Sequence, residues 1–281
     1  GNISGAVMGF ELLFGKSFQF NQINIFSILS GILALPLIIF GNNKVLEKIL
    51  IILVLIMSFS FVFTVFIVGI DFNLLLSSSN LFSFSSESIL TIAGLIGTTV
   101  VPYNIFLHVA LVNNRWKSTK ELRFANFDTI VSISIGGLIS LCILLTAAGL
   151  NNSDILNAVD LAYSLQPLYG DFSKYIVAIG LLSAGLTSSI TAPIAAAYVV
   201  CGCFGFSINR KSKLFKIIAV IVLLIGVIFS SIGFSPIEII KFAQVTNGIL
   251  LPLVVVFLLF LANNTRLLKN NTNNLFQNVL G

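Results

Sequence analysis

The stretch IGTTVVPYNIFLHVALVNNRW, residues 96–116, decides how this chain folds. It lies in a run apolar enough to cross a bilayer, yet Gly97, Thr98, Thr99, Pro102, Tyr103, Asn104 and His108 fall within 12 residues. Proline removes a backbone donor and clashes with the carbonyl four residues back, so a helix over residues 89–112 breaks or kinks near 100–102. Carbonyls freed around Thr98 to Val101 cannot face hydrocarbon unpaired. They must be buried in protein or line a wet cavity. Pro36, Pro193 and Pro252 also lie in apolar runs, and membrane helices tolerate such kinks; the clustering of polar residues sets this segment apart.

The rest of the chain fits a lipid solvent. Of its 281 residues 57% are hydrophobic and only 9% charged, with a mean hydropathy of +1.06, whereas soluble domains carry roughly 25% charged residues. The net charge of +5 therefore bears on membrane orientation rather than on nucleic acid, and no nucleic-acid partner is expected. Cys142, Cys201 and Cys203 are odd in number, and their one close pair is spaced i,i+2. That is neither a metal nor a redox spacing, and small buried hydrophobes is the plain reading.

Apolar runs long enough for membrane helices cover residues 23–40, 45–70, 89–112, 127–150, 175–206, 214–232 and 237–262, after a shorter one at 5–14. Strict alternation of these eight segments gathers Lys44, Lys48, Arg115, Lys117, Lys120, Arg123, Arg210, Lys211, Lys213, Lys216, Arg266 and Lys269 on one side, twelve of the 15 basic residues. The opposite loops at 71–87 and 151–171 hold acids and no Lys or Arg. By the positive-inside rule the basic side is cytoplasmic. The chain is expected to be an all-α, polytopic integral membrane protein of a single transmembrane domain, 1–281. Its asparagine-rich tail, 263–281, turns apolar again at NLFQNVLG, as if another helix began there.

Two further clusters stand out. In KFAQVTNGILLP, residues 241–252, Gln244 and Asn247 are three apart and share a helix face. Their uncharged oxygens suit a hard cation or interhelical hydrogen bonds. In residues 181–202, Ala184, Gly185, Ser188, Ala192, Ala195 and Ala196 recur at spacings of three and four, which marks a face for close helix packing. Glu11, the acid well inside an apolar segment, reads equally as an ion or proton group and as an end residue. One histidine and no paired cysteines exclude a common zinc site. No hydrolase, protease or nucleotide-binding motif occurs, so no enzyme and no cofactor are expected.

Taken in order, the three clusters resemble the Nramp family of divalent metal transporters. GTTVVPYNIFLHVALV is similar to the family's sixth-helix pattern G-A-T-V-M-P-H-N-x-x-L-H-S. LLSAGLTSSITA is similar to the eighth-helix A-A-G-Q-S-S-T-x-T-G, and AQVTNGILLP to the tenth-helix S-Q-V-x-x-x-x-Q-L-P, with the Gln244-to-Pro252 spacing kept. The resemblance covers essentially the whole chain and matches family helices three to ten. It implies a LeuT-like core of two inverted repeats, incomplete here at about eight helices, with metal bound between unwound parts of helices one and six. The family's helix-one motif Asp-Pro-Gly-Asn does not occur, and the chain opens at Gly1 without an initiator methionine; a fragment of a longer protein, truncated at both ends, is expected.

The resemblance implies a metal site built from Thr98, Val101 and Gln244, with Tyr103, Asn104, His108 and Asn247 as supporting or proton-relay groups. Asn104 would brace the unwound turn, and His108 would relay a proton or hydrogen-bond across helices. Val101 replaces the family's methionine, a soft thioether that favours transition metals. The oxygen ligands that remain suit a harder ion, Mg²⁺ or Mn²⁺. Tyr103 replaces a histidine, and Asn2 stands near the family's third-helix glutamate, so weak or absent proton coupling is expected. The expected function is secondary transport of divalent metal across the plasma (inner) membrane, with metal ion and bilayer as partners. The alternatives are an organic-solute or amino-acid transporter of the same fold and a non-transporting membrane subunit.

Overall fold

With no water in the bilayer core, each apolar run must close its backbone hydrogen bonds within itself, and helices result. The computed structural model describes residues 1–15, 18–20, 23–41, 44–69, 86–116, 118–149, 157–269 and 272–280. The membrane helices are α1 (Asn2–Phe14), α2 (Ile25–Phe40), α3 (Lys44–Val68), α4 (Ser86–Thr99), α5 (Pro102–Arg115) and α6 (Leu122–Gly149). After two short helices, α7 (Ala158–Tyr163) and α8 (Gln166–Tyr169), come α9 (Ser173–Cys203), α10 (Lys213–Ser231) and α11 (Pro236–Ala262). Short α12 (Thr265–Leu268) and α13 (Leu275–Leu280) form the tail, the latter where the sequence turns apolar again. Six spans among the described residues are long and apolar enough to cross a membrane, counting α4–α5 as one and α8–α9 as one. The apolar α1 and α2 are shorter, at 13 and 16 residues. The chain is thus an all-α polytopic membrane protein, with a two-stranded hairpin, β1 (Gln19–Phe20) and β2 (Ile23–Asn24), between α1 and α2.

Local chemistry fixes the ends. Asn24 caps α2 by accepting from Phe26 N at 3.0 Å, and Ser212 caps α10 by accepting from Phe215 N at 3.2 Å. Ser235 and Glu238 form a capping box at the start of α11, with Pro236 at the first helical position, where its missing N–H costs nothing. The loop at 71–87 lies almost wholly outside the described residues. Of the loop at 151–171, the described part carries the unforeseen α7, whose Asn157–Asp160 capping box is local and independent of apolar period.

Two cavities, one at each end of the bundle, agree with the expected alternation. One gathers Phe40, Gly41, Glu47, Arg210, Lys211 and Lys216 from two connections assigned to the cytoplasmic side. The other gathers Glu11, Gln19, Asn24, Asn157 and Ser235 from three connections of the opposite side. There Ile23 also bridges to Ile232, joining the β2 and α10 ends.

Helix α9 is the scaffold: its span is 44% buried, against 6% for α6 and for α11. It packs on α1, α2, α3, α5 and α10. Against α1 the two backbones touch. A Cβ built on Gly185 would overlap Ala6 N and sit 2.7 Å from Ala6 Cα, and one on Gly9 would sit 2.6 Å from Leu182 N. Lipid gives apolar helices no hydrophobic reason to associate, so contact this close is the main source of their attraction. The small-residue face of α9 meets α1 here, with Ser188 O accepting from Asn2 Nδ2 at 3.1 Å.

A buried polar node ties α1, α2 and α10. Ser27 Oγ donates to Ser230 O at 2.9 Å, and Ser4 Oγ lies 3.1 Å from Ser230 Oγ. Ser4 and Ser27 are wholly buried, so each hydroxyl needs such a partner.

Gly185→Val is expected to cost about 2 kcal/mol or more, because the clash is with backbone that cannot step aside. Gly226→Ala in α10, whose new methyl would meet Ile3 Cγ1 at an ordinary 3.7 Å, is expected to be neutral or stabilising. Thermal unfolding in detergent compares the two, and equal tolerance would mean that α1 and α9 do not approach as described.

Candidate functional site

The break in the opening stretch falls at Val100–Val101. Helix α4 ends at Thr99, Val101 is extended (φ −79°, ψ 127°), and α5 starts at Pro102. Pro102 has no N–H, so the Thr98 carbonyl loses its helical donor. The Val101 carbonyl accepts instead from Asn104 N at 2.9 Å, the first turn of the new helix. That bond occupies one of two lone pairs and leaves the other for a ligand. Val101 is buried, while Thr98 and Thr99 are exposed. Both threonine hydroxyls donate back into α4, to Leu95 O and Ile96 O at 2.8 Å. Their oxygens therefore keep acceptor capacity beside the break.

Helix α11 holds this break in place. The α4–α11 contact is among the most extensive in the molecule, and glycine faces glycine across it. A Cβ on Gly97 would overlap Gln244 O and come within 2.6 Å of Gly248 N, and one on Gly248 would overlap Ala93 O. Gly97 immediately precedes Thr98, so the crossing sets Gln244 against the last turn of α4. The Gln244 side chain is itself oriented, with Oε1 accepting from Asn247 Nδ2 at 3.1 Å. Gln244 thus lies at the crossing beside Gly97, with Asn247 bonded to it, and Thr98 and Val101 follow Gly97 in the chain.

His108 pairs with α6. His108 Nε2 lies 3.2 Å from Thr129 Oγ1 on α6, and that hydroxyl donates to Ala125 O at 2.8 Å. A hydroxyl has one proton, so the network assigns the proton of the first bond to Nε2. Tyr103 is half-buried in the first turn of α5. Glu11 is at the other end of α1, where Oε1 accepts from Asn24 Nδ2 at 3.0 Å and so helps to fix the residue that caps α2.

Chemically, the crossing offers neutral oxygens. Among the described residues no three His, Cys, Asp or Glu side chains come together in a metal-binding group. A cation at the break would be held by carbonyl, hydroxyl and amide oxygens, the donor class of hard cations. Sequence reasoning missed Gly248, the partner of Gly97. Its signal was the small residue one position beyond Asn247, with no apolar period to mark it.

Comparison with known proteins places the chain in a family. Residues 1–281 match the family model described as natural resistance-associated macrophage protein-like (Nramp). The divalent metal cation transporter MntH of Caldanaerobacter subterraneus subsp. tengcongensis is 24% identical over 99% of this chain and 66% of that protein. The MntH of Vibrio campbellii is 30% identical over 67% of this chain and 45% of its own length. That of Mycobacterium leprae is 28% identical over 70% and 47%. The chain therefore spans about half to two-thirds of the length of these relatives. With a broken helix docked on an amide-bearing partner and a family match from end to end, this chain belongs to the Nramp family.

Proposed function

We propose that the chain carries part of the ion path of a divalent metal cation transporter, a secondary transporter of the plasma membrane rather than an enzyme, with a LeuT-like inverted-repeat core. The observation that supports it most is the Val100–Val101 break seated against Gln244 through the Gly97–Gly248 crossing. Unwound backbone near the middle of a membrane is tolerated only where it is buried or lines a cavity, and transporters use such breaks to coordinate ions. Relatives named as divalent metal cation transporters point the same way.

The residues have distinct roles in this reading. Thr98 and Val101 present carbonyl oxygens, Gln244 adds its amide oxygen, and Asn247 holds that amide in position. Asn104 closes the turn with its backbone N–H. The family's Asp-Pro-Gly-Asn ligands do not occur in these 281 residues, so the chain supplies neutral donors only. Val101 brings no sulfur to the shell, and a shell of oxygens suits Mn²⁺ or Mg²⁺ better than a soft ion. Tyr103 stands where the family has a histidine, Asn2 is committed to Ser188 O, and His108 to Thr129. Transport is accordingly weakly coupled to protons or not coupled at all.

Two outcomes follow. Val101→Met introduces a thioether at the break and is expected to shift selectivity toward Cd²⁺ over Mg²⁺ by about tenfold or more, read in competition uptake by cells expressing the full-length protein. Unchanged selectivity would remove the break from the ion path, and uptake of an amino acid in place of metal would favour the organic-solute reading. In proteoliposomes holding a pH dye, metal entry is expected without internal acidification, whereas acidification in proportion to metal flux would overturn the uncoupled reading.

A further inference from the structure

None of the donors assigned to the ion path lines the cavity at the cytoplasmic end of the bundle. It lies between the end of α2, the start of α3, the middle of α9 and the start of α10. Its lining divides by chemistry. Leu37, Ile38, Ile190, Ile194 and Phe215 form an apolar floor, and Arg210, Lys211 and Lys216 bring three cations against one acid, Glu47. Positive-inside placement explains basic residues at this surface. It does not explain an apolar cleft directly beneath them.

Arg210 is exposed, but its guanidinium is tethered. Arg210 Nε donates to Tyr198 Oη at 3.1 Å, with the guanidinium 5.7 Å from the Tyr198 ring centre. Tyr198 in turn packs edge-on against Phe215, with ring centres 5.1 Å apart. This chain of contacts fixes the guanidinium over the cavity while leaving its terminal NH₂ groups, which match phosphate oxygens in pairs. Lys213–Lys216 is also the first turn of α10, where the helix dipole favours an anion.

We propose that this cavity holds an anionic phospholipid of the cytoplasmic leaflet, its phosphate among Arg210, Lys211 and Lys216 and one acyl chain along Ile190 and Ile194. Charge complementarity selects the occupant: the rim keeps a net positive charge after Glu47 is counted, and the floor suits an alkyl chain. Basic pockets between membrane helices on this side bind lipid headgroups in the same way. The bound lipid bridges the end of α2, the middle of α9 and the start of α10.

The test is thermal unfolding of the full-length protein in mixed micelles, titrated with phosphatidylglycerol, phosphatidylcholine or inorganic phosphate. Phosphatidylglycerol alone is expected to raise the unfolding temperature saturably. Each of Arg210→Gln and Lys216→Gln should weaken its apparent affinity about fivefold, and Glu47→Gln should strengthen it. The opposite sign of the last variant separates lost binding from a general loss of folding. Equal stabilisation by phosphatidylcholine, an equal effect of inorganic phosphate, or indifference to all three substitutions would each overturn the proposal.

Discussion

Pro102 has no N–H to give, and lipid has none to lend. Everything distinctive about the middle of this chain follows from that one missing donor. The Thr98 carbonyl loses its helical partner, the backbone turns extended at Val101, and Asn104 N starts the next helix by bonding Val101 O. Such a break survives in a membrane only if protein surrounds it. Helix α11 packs against the turn just before the break, and only glycine at both 97 and 248 lets it come that close.

A division of labour follows along the chain. Helix α9 and its neighbours α1, α2, α3 and α10 are held by touching backbones and by buried hydroxyls such as Ser4, Ser27 and Ser230. The α4–α11 pair makes its tightest approach at its own glycines rather than through the serine node. This suits a fixed scaffold beside a pair of helices that carries the proposed ion donors. The cavity proposed for lipid lies at the margin of the scaffold, between α2, α9 and α10, and none of the proposed ion donors lines it.

Much of the fold was legible in the sequence. Apolar runs gave the membrane helices to within a few residues, because the length of an apolar run sets how much helix lipid can hold; the caps Asn24, Ser212 and Ser235 fix the exact starts. The break was legible because proline acts locally. What stayed hidden depends on which helix meets which. Gly248 looks like any glycine until α4 lies against it. Ser4, Ser27 and Ser230 are far apart in sequence and read as scattered polar residues until three helices bring them together. Arg210 and Lys216 were legible as topology signals, but the apolar floor beneath them comes from α2 and α9.

The most direct measurement is the position of Mn²⁺ in the full-length protein, located by its anomalous X-ray scattering. The account predicts a peak at direct-coordination distance from the Val101 carbonyl and Gln244 Oε1, beside Thr98. A peak elsewhere, at Glu11 for example, with the Val101 carbonyl and Gln244 unoccupied by metal, would contradict it.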